Sequence, residues 1–188
     1  MGKKEKIQGG SDIGKFRSFD SEGDLTVIIE TPKGSRNKYA YDEKHHIFQL
    51  TKVLPEGMVF PHDFGFVPST TAEDGDPVDV LVLMDQPAFT GCAVLSRLIG
   101  IIEGEQQEDG HKIRNDRLLA VACASHTHSS LRNIKDLDKT FLQEVEKFFE
   151  AYHAEGGARY KTLGYRGPKR ALAVVKNSAN GKRGKKKK

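Results

Sequence analysis

Three aspartates fall between positions 74 and 79 in the stretch EDGDPVDVLVL, Glu73 to Leu83, where it runs into a row of aliphatic side chains. Asp74 and Asp76 stand two apart, so an extended backbone aims both the same way. Gly75 permits a sharp bend between them, and Pro77 fixes φ just before the aliphatic run. Asp79 lies inside that run, on the face it shares with Leu81 and Leu83. An ionised carboxylate there is costly unless a cation sits beside it. Three carboxylates converging from a loop and a strand edge make a hard-oxygen site that favours Mg²⁺ over zinc. The competing reading is a turn whose Asp side chains cap backbone N–H groups, with one Lys or Arg as ion-pair partner. No EF-hand loop with a terminal Glu is present.

Other groups carry less information when taken singly. Glu30 stands at the exit of an apolar strand, where an acid ordinarily marks a boundary. Lys38, Lys52, Arg117 and Lys161 lie near strand ends or the second helix, where solvated surface is the ordinary role. His126 and His128 have no Cys or His pair at zinc-ligand spacing. The patterns G-x-S-x-G, G-x-x-x-x-G-K and G-x-G-x-x-G are absent.

The elements that must position these residues are mostly strands. LTVIIE, from Leu25, is β-branched and apolar, hence a buried strand ended at Thr31-Pro32. NKYAYD and HIFQL read as a hairpin around DEKH. A Pro- and Gly-rich segment from Pro55 to Pro77 with interleaved Phe60, Phe64 and Phe66 has to be held down by packing. VDVLVLM is a central strand, and CAVLSRLIGIIEGE is long enough to bend at Gly100. EQQEDGHKIRND reads as an exposed hairpin connection, and RLLAVACA returns the chain. Leu137, Phe141, Val145, Phe148 and Tyr152 then recur at helical spacing until Gly156-Gly157. A shorter helix starts at Pro168 and carries Leu172 and Val175 inward. Strands precede helices rather than alternating with them, so the expected fold is mainly β (α+β): a small, strongly bent sheet or barrel with two helices against one side.

The chain has 188 residues, enough for one domain. Its formal net charge is +4, but Lys176–Lys188 carry seven basic residues and no acid, leaving the body near −3 (+4 minus 7). The basic balance thus belongs to the tail and does not make the body a nucleic-acid binder. Residues 1–24 are expected to be loosely held, 25–176 to form the domain, and 177–188 to be a disordered basic tail, with a weak polyanion contact as its alternative role. Cys92 and Cys123 lie among apolar neighbours and read as buried small hydrophobes in a reducing compartment. No run reaches the ~20 apolar residues of a membrane span, and no apolar segment follows the basic N-terminus, so a cytoplasmic protein without a membrane partner is expected.

Taken together, EDGDPVDVLVL, VIIETP, Lys38-Tyr39, MVFPHDFGF and FFEAYH resemble, in order and spacing, the soluble family I inorganic pyrophosphatases over Leu25 to Val175. The resemblance implies a strongly twisted, OB-like closed barrel of five strands with two helices packed on it, pyrophosphate as substrate and Mg²⁺ as cofactor. It also implies a homohexamer, as in bacterial members. Asp74, Asp76 and Asp79 match metal ligands, and Asp76 also matches the carboxylate that orients or deprotonates the attacking water. Glu30 matches a supporting acid of the cavity. Lys38, Arg117 and Tyr152 match phosphate-contacting residues, with Lys52 in the place of an arginine and Lys161 a further candidate cation.

The chain also departs from the family pattern. Ala40 replaces a glutamate, Phe64 a tyrosine and His153 a lysine. The family's second acidic pair falls nearest Gln106 and Asn115, with Glu105 and Asp116 one position away. Either the hairpin shifts register so that Glu105 and Asp116 become metal ligands, or those metal positions are weakened. Two alternatives to pyrophosphate hydrolysis follow: action on another phosphoanhydride, or a catalytically weakened scaffold that binds a polyanion through its tail.

Overall fold

A computed structural model describes residues 12–108 and 110–184, with the side chains of 108 and 180–184 left aside. In chain order the strands are β1 (Leu25–Thr31), β2 (Asn37–Asp42), β3 (Ile47–Val53), β4 (Asp63–Val67), β5 (Val78–Leu83), β6 (Ala93–Glu108), β7 (His111–Arg114) and β8 (Arg117–Ala122). Helix α1 (Lys139–Ala154), strand β9 (Arg159–Arg166) and helix α2 (Pro168–Gly184) follow.

Five strands close on themselves. β1 pairs β4, β4 pairs β5, β5 runs parallel to β8, β8 pairs β6, and β6 returns to β1. This ring of five strands, with two helices packed on it, agrees with the mainly β architecture expected. β6 serves two partnerships because it is long: its first half completes the ring and its second half pairs β7 and β9. The register shifts between Leu98 and Gly100, at the glycine expected to mark a bend. A Cβ at Gly100 would stand 2.6 Å from Ile134 Cβ and 2.7 Å from the Arg166 carbonyl oxygen, so only glycine fits that corner.

The ring strands are buried on both faces, which explains their near-continuous apolar sequences. One face packs Val27, Ile29, Val80, Val82 and Leu118 with Ala171 and Val175 of α2. The other packs Leu81, Leu83, Leu119 and Val121 with Val145 and Phe149 of α1. Asp79 has the parity of Leu81 and Leu83 and so faces the α1 side.

Three strands were not anticipated: β4, β9 and β7, the last lying in the segment read as an exposed connection and pairing the end of β6. β4 lies inside the Pro-rich segment and is held by pairing on both edges. β9 follows the Gly156-Gly157 stop and docks on β6. The buried face of α1 is Val145, Phe149 and His153: Val145 is as expected, and beyond it the stripe moves one position on, with Phe148 and Tyr152 flanking it. Cys92 is half-buried and Cys123 exposed, which corrects the expectation of two buried thiols.

The expected boundaries fall differently on the chain. Residues 1–11 and 185–188 lie outside the described residues. Within 12–24, Asp12 caps a short 3-10 turn at Ile13–Lys15, and Ser18 donates to the Pro68 carbonyl at 2.7 Å. The expected tail boundary at 176 falls inside α2, and the Ser178 carbonyl accepts from the Thr71 N–H at 3.2 Å. Among the described residues, no helix is long and apolar enough to cross a membrane.

Candidate active site

The turn before β5 presents Asp74 and Asp76. Asp74 Oδ1 accepts from the Asp76 N–H at 3.1 Å, and the Ala72 N–H donates to the Asp76 carbonyl at 2.7 Å. Gly75 sits between them at φ 97°, a conformation that a side chain would strain. β5 then carries Asp79 into the same cavity, which measures about 440 Å³.

The opposite side is built by β1 and the β2–β3 hairpin. Glu30 leaves β1 with Oε1 accepting the Tyr41 N–H at 2.8 Å and Oε2 accepting Lys38 Nζ at 2.9 Å. Lys38 Nζ also donates to the Tyr39 carbonyl at 2.8 Å and lies 4.6 Å from the centre of the Phe64 ring. Lys52 does not line the cavity. Its Nζ sits 4.9 Å from the Tyr152 ring centre and 3.4 Å from the Tyr152 carbonyl, so it backs that residue.

The floor is Arg117, at the start of β8. It is 2% exposed, with its guanidinium carbon 3.9 Å from the centre of Phe149 and 4.7 Å from that of Tyr160. Nη1 donates to the Asn115 carbonyl at 3.1 Å, Nη2 donates to His153 Nε2 at 2.8 Å, and Nε has no partner among the described residues. Burial first, then Arg117 and Lys52, hold His153 down at about 3. Burial likewise raises the Tyr152 hydroxyl.

Asp79 is the least comfortable group in the cavity. Burial pushes its carboxyl up to about 7; Arg117 and Lys38 oppose the rise, while Glu30 and Asp74 add to it. Burial also raises Asp74. Among the described residues, the carboxylates of Asp76 and Asp79 make no hydrogen bond or ion pair, so the structural role of a capped, arginine-tied turn does not account for them. An all-carboxylate donor set without committed partners fits a hard divalent cation. The three aspartates share one cavity without meeting at a point: among the described residues, no three His, Cys, Asp or Glu side chains form a ready-made metal cluster. The expected convergence is thus replaced by a shared wall.

The second acidic pair resolves toward the amides. Gln106 and Asn115 line the cavity, with Asn115 Nδ2 donating to Gln106 Oε1 at 2.8 Å. Glu105 instead pairs with Lys112 at 2.9 Å. Asp116 pairs with Arg114 at 2.8 Å and accepts the Gly104 N–H at 3.0 Å. Neither acid lines the cavity, because side chains alternate along a strand and a step of one residue reverses the face. Lys161 is exposed on β9 and is also not brought to the cavity. Tyr41 and Phe149 do line it and were not singled out from sequence, and Phe60, read only as a packing aromatic, lines it too. Phe149 was legible only as one more apolar residue of α1.

Carboxylates and a buried guanidinium lining one cavity suit a small polyanion accompanied by cations, the arrangement of a protein that works on phosphates. The chain belongs to the inorganic pyrophosphatase family, whose profile matches residues 27–182. It is 37% identical over 141 residues to the inorganic pyrophosphatase of Synechocystis sp., spanning 75% of this chain and 81% of that protein. It is also 37% identical over 153 residues to that of Thermus thermophilus, spanning 80% and 85%. The crystal structure of the inorganic pyrophosphatase from Thermus thermophilus superposes with a TM-score of 0.83 at 32% identity, covering 92% of this chain and 99% of that one. The inorganic pyrophosphatase from Helicobacter pylori gives a TM-score of 0.79 at 29% identity, covering 96% and 99%.

Proposed function

We propose that this chain hydrolyses inorganic pyrophosphate to two phosphates, with Mg²⁺ held along the wall of Asp74, Asp76 and Asp79. The observation that carries the reading is a buried Arg117, without an ion-pair partner among the described residues, lining the same cavity as three aspartates. Acids then stand where cations are needed and bases where phosphoryl oxygens arrive. When bound, magnesium supplies water activation and neutralisation of phosphoryl charge.

The chain's own groups divide the remaining work. Asp76 has an uncommitted carboxylate at the turn and takes the proton of the attacking water. Glu30 fixes Lys38 through a 2.9 Å bond, so Lys38 meets the substrate in one orientation. Arg117 and Lys38 take up the charge that builds on the leaving phosphate. Tyr152 closes the α1 side, steadied by Lys52 behind its ring. No covalent nucleophile is required.

Cytoplasmic location and assembly into a homohexamer belong to the same proposal. Exposed Leu50, Val53 and Phe89 supply apolar surface for such an assembly, which sedimentation at several concentrations would read as a single species larger than the monomer. Phosphate release from pyrophosphate, measured with Mg²⁺ and again with excess chelator, tests the activity. Release that stops on chelation supports it; no release at any Mg²⁺ concentration overturns it.

A further inference from the structure

The cavity is chemically lopsided. Asp74, Asp76 and Asp79 form one wall, whereas the end of β6 and the link from β7 to β8 contribute Gln106 and Asn115 in front of Arg117. None of these three can carry negative charge. The amides hold each other across 2.8 Å. Their acidic neighbours are committed elsewhere: Glu105 to Lys112, and Asp116 to Arg114 and the Gly104 N–H. A hard divalent cation is held chiefly by charged oxygens, and this wall presents none.

Behind the amides, Arg117 forms no ion pair among the described residues. Two of its N–H groups are spent on the Asn115 carbonyl and His153, and Nε is buried without a partner. The guanidinium carbon lies 3.9 Å from the centre of the Phe149 ring. The acceptor nitrogen of His153 keeps it from swinging. Asp79 stands beside Arg117 on the neighbouring strand without pairing with it, and a buried cation without a direct ion pair is stable only when an anion or other dipoles complete its shell.

We propose that Gln106, Asn115 and Arg117 form a metal-free anion subsite that takes one phosphoryl group of the substrate directly, so that this chain holds cations on its aspartate wall alone. The inference rests on the function proposed above and deepens it. Amide and guanidinium N–H groups reach phosphoryl oxygens without an intervening cation. Carboxylates at 106 and 115 would instead repel those oxygens, and only a further divalent cation could bridge them. The amide pair is therefore the specificity determinant: it lets the site accept a diphosphate that arrives with fewer cations.

The test reads binding rather than turnover. Methylenediphosphonate, whose P–C–P link cannot be hydrolysed, is titrated calorimetrically into the full chain in excess chelator, and Mn²⁺ uptake is counted separately by electron paramagnetic resonance. The wild-type chain is expected to bind the diphosphonate without metal. The Gln106→Asp/Asn115→Asp variant is expected to lose at least about tenfold of that affinity through like-charge repulsion and to take up about one additional Mn²⁺ per chain. Asn115→Asp alone gives the same reading in a milder form should the double variant fail to fold. Diphosphonate binding by the wild type only after metal is added would overturn the inference, as would unchanged metal-free affinity and unchanged Mn²⁺ uptake in the variant. Metal-free binding without phosphate release from pyrophosphate would sink the hydrolase reading and leave this one standing. Fast release without metal-free binding would do the reverse.

Discussion

Arg117 Nη2 lies 2.8 Å from His153 Nε2, and both side chains are buried at the floor of the cavity. Arginine can only donate, so Nε2 must accept and the imidazole must be the neutral Nδ1–H tautomer. A lysine in the place of His153 would set two cations against each other, which explains why this chain can combine an arginine here with a histidine on α1.

Acid should therefore weaken the fold through His153. Its folded value is about 3, below the ~6.5 of an unfolded histidine. As pH falls through ~6.5 the unfolded chain gains a proton that the folded chain refuses, so stability present above ~6.5 is lost progressively down to about 3. His62, held near 4 first by burial, acts in the same window. Urea midpoints at pH 7 and pH 5 are expected to converge in His153→Gln relative to the wild type; an unchanged difference would remove His153 from the account.

Asp79→Asn separates metal binding from folding. The substitution removes a charge that burial disfavours more strongly than Arg117 and Lys38 favour it, so the metal-free protein should unfold no earlier than wild type and gain on the order of 1 kcal/mol. The rise in melting temperature on adding Mg²⁺ should shrink at the same time. A metal-free variant that melts well below wild type would show that Asp79 has a structural partner instead.

Tyr41 joins the N-terminal segment to the cavity. Its hydroxyl donates to Asp12 Oδ1 at 2.9 Å, while its backbone N–H holds Glu30. Tyr41→Phe removes the hydroxyl's bonds, to Asp12 and to His46 Nδ1 at 3.1 Å, and leaves the backbone one. The expected cost is about 1 kcal/mol in stability, with KM for pyrophosphate rising a few-fold and kcat little changed. Steady-state kinetics beside a urea titration check both parts.

Gly104 is fixed by the tyrosine opposite it. A Cβ there would stand 2.0 Å from the Tyr160 hydroxyl, which is buried and, among the described residues, has no hydrogen-bond partner. Gly104→Ala should cost about 1–3 kcal/mol through overpacking. Tyr160→Phe should cost little alone and recover part of the loss in the double variant. Additive losses in denaturant midpoints would contradict the contact.

The fold was most legible where the local signal was strong. β1, β5 and β8 announce themselves as apolar runs because both of their faces are buried, and α2 begins at the Pro168 its sequence suggests. β4 stayed hidden because its five residues are bracketed by Pro61 and Pro68 and exist as a strand only through pairing on both edges. β9 mixes exposed and buried positions and owes its state to β6. The aspartate wall could be read from spacing, since a short turn and a strand fix where the side chains go. The choice between Glu105–Asp116 and Gln106–Asn115 could not. It depends on the β6–β7 register, in which Glu105 pairs Arg114 and Gln106 pairs Ile113, and one step would exchange the faces.

The aspartate wall is tested most directly by comparing phosphate release from pyrophosphate, at saturating Mg²⁺, in Asp76→Asn and Glu105→Gln. The first removes the cavity carboxylate proposed to take the water's proton and should lower turnover by at least ~10²-fold. The second neutralises an acid that only pairs with Lys112 outside the cavity and should stay within about threefold of wild type. Near-normal turnover in Asp76→Asn, or a collapse in Glu105→Gln with the fold intact, would contradict the site described.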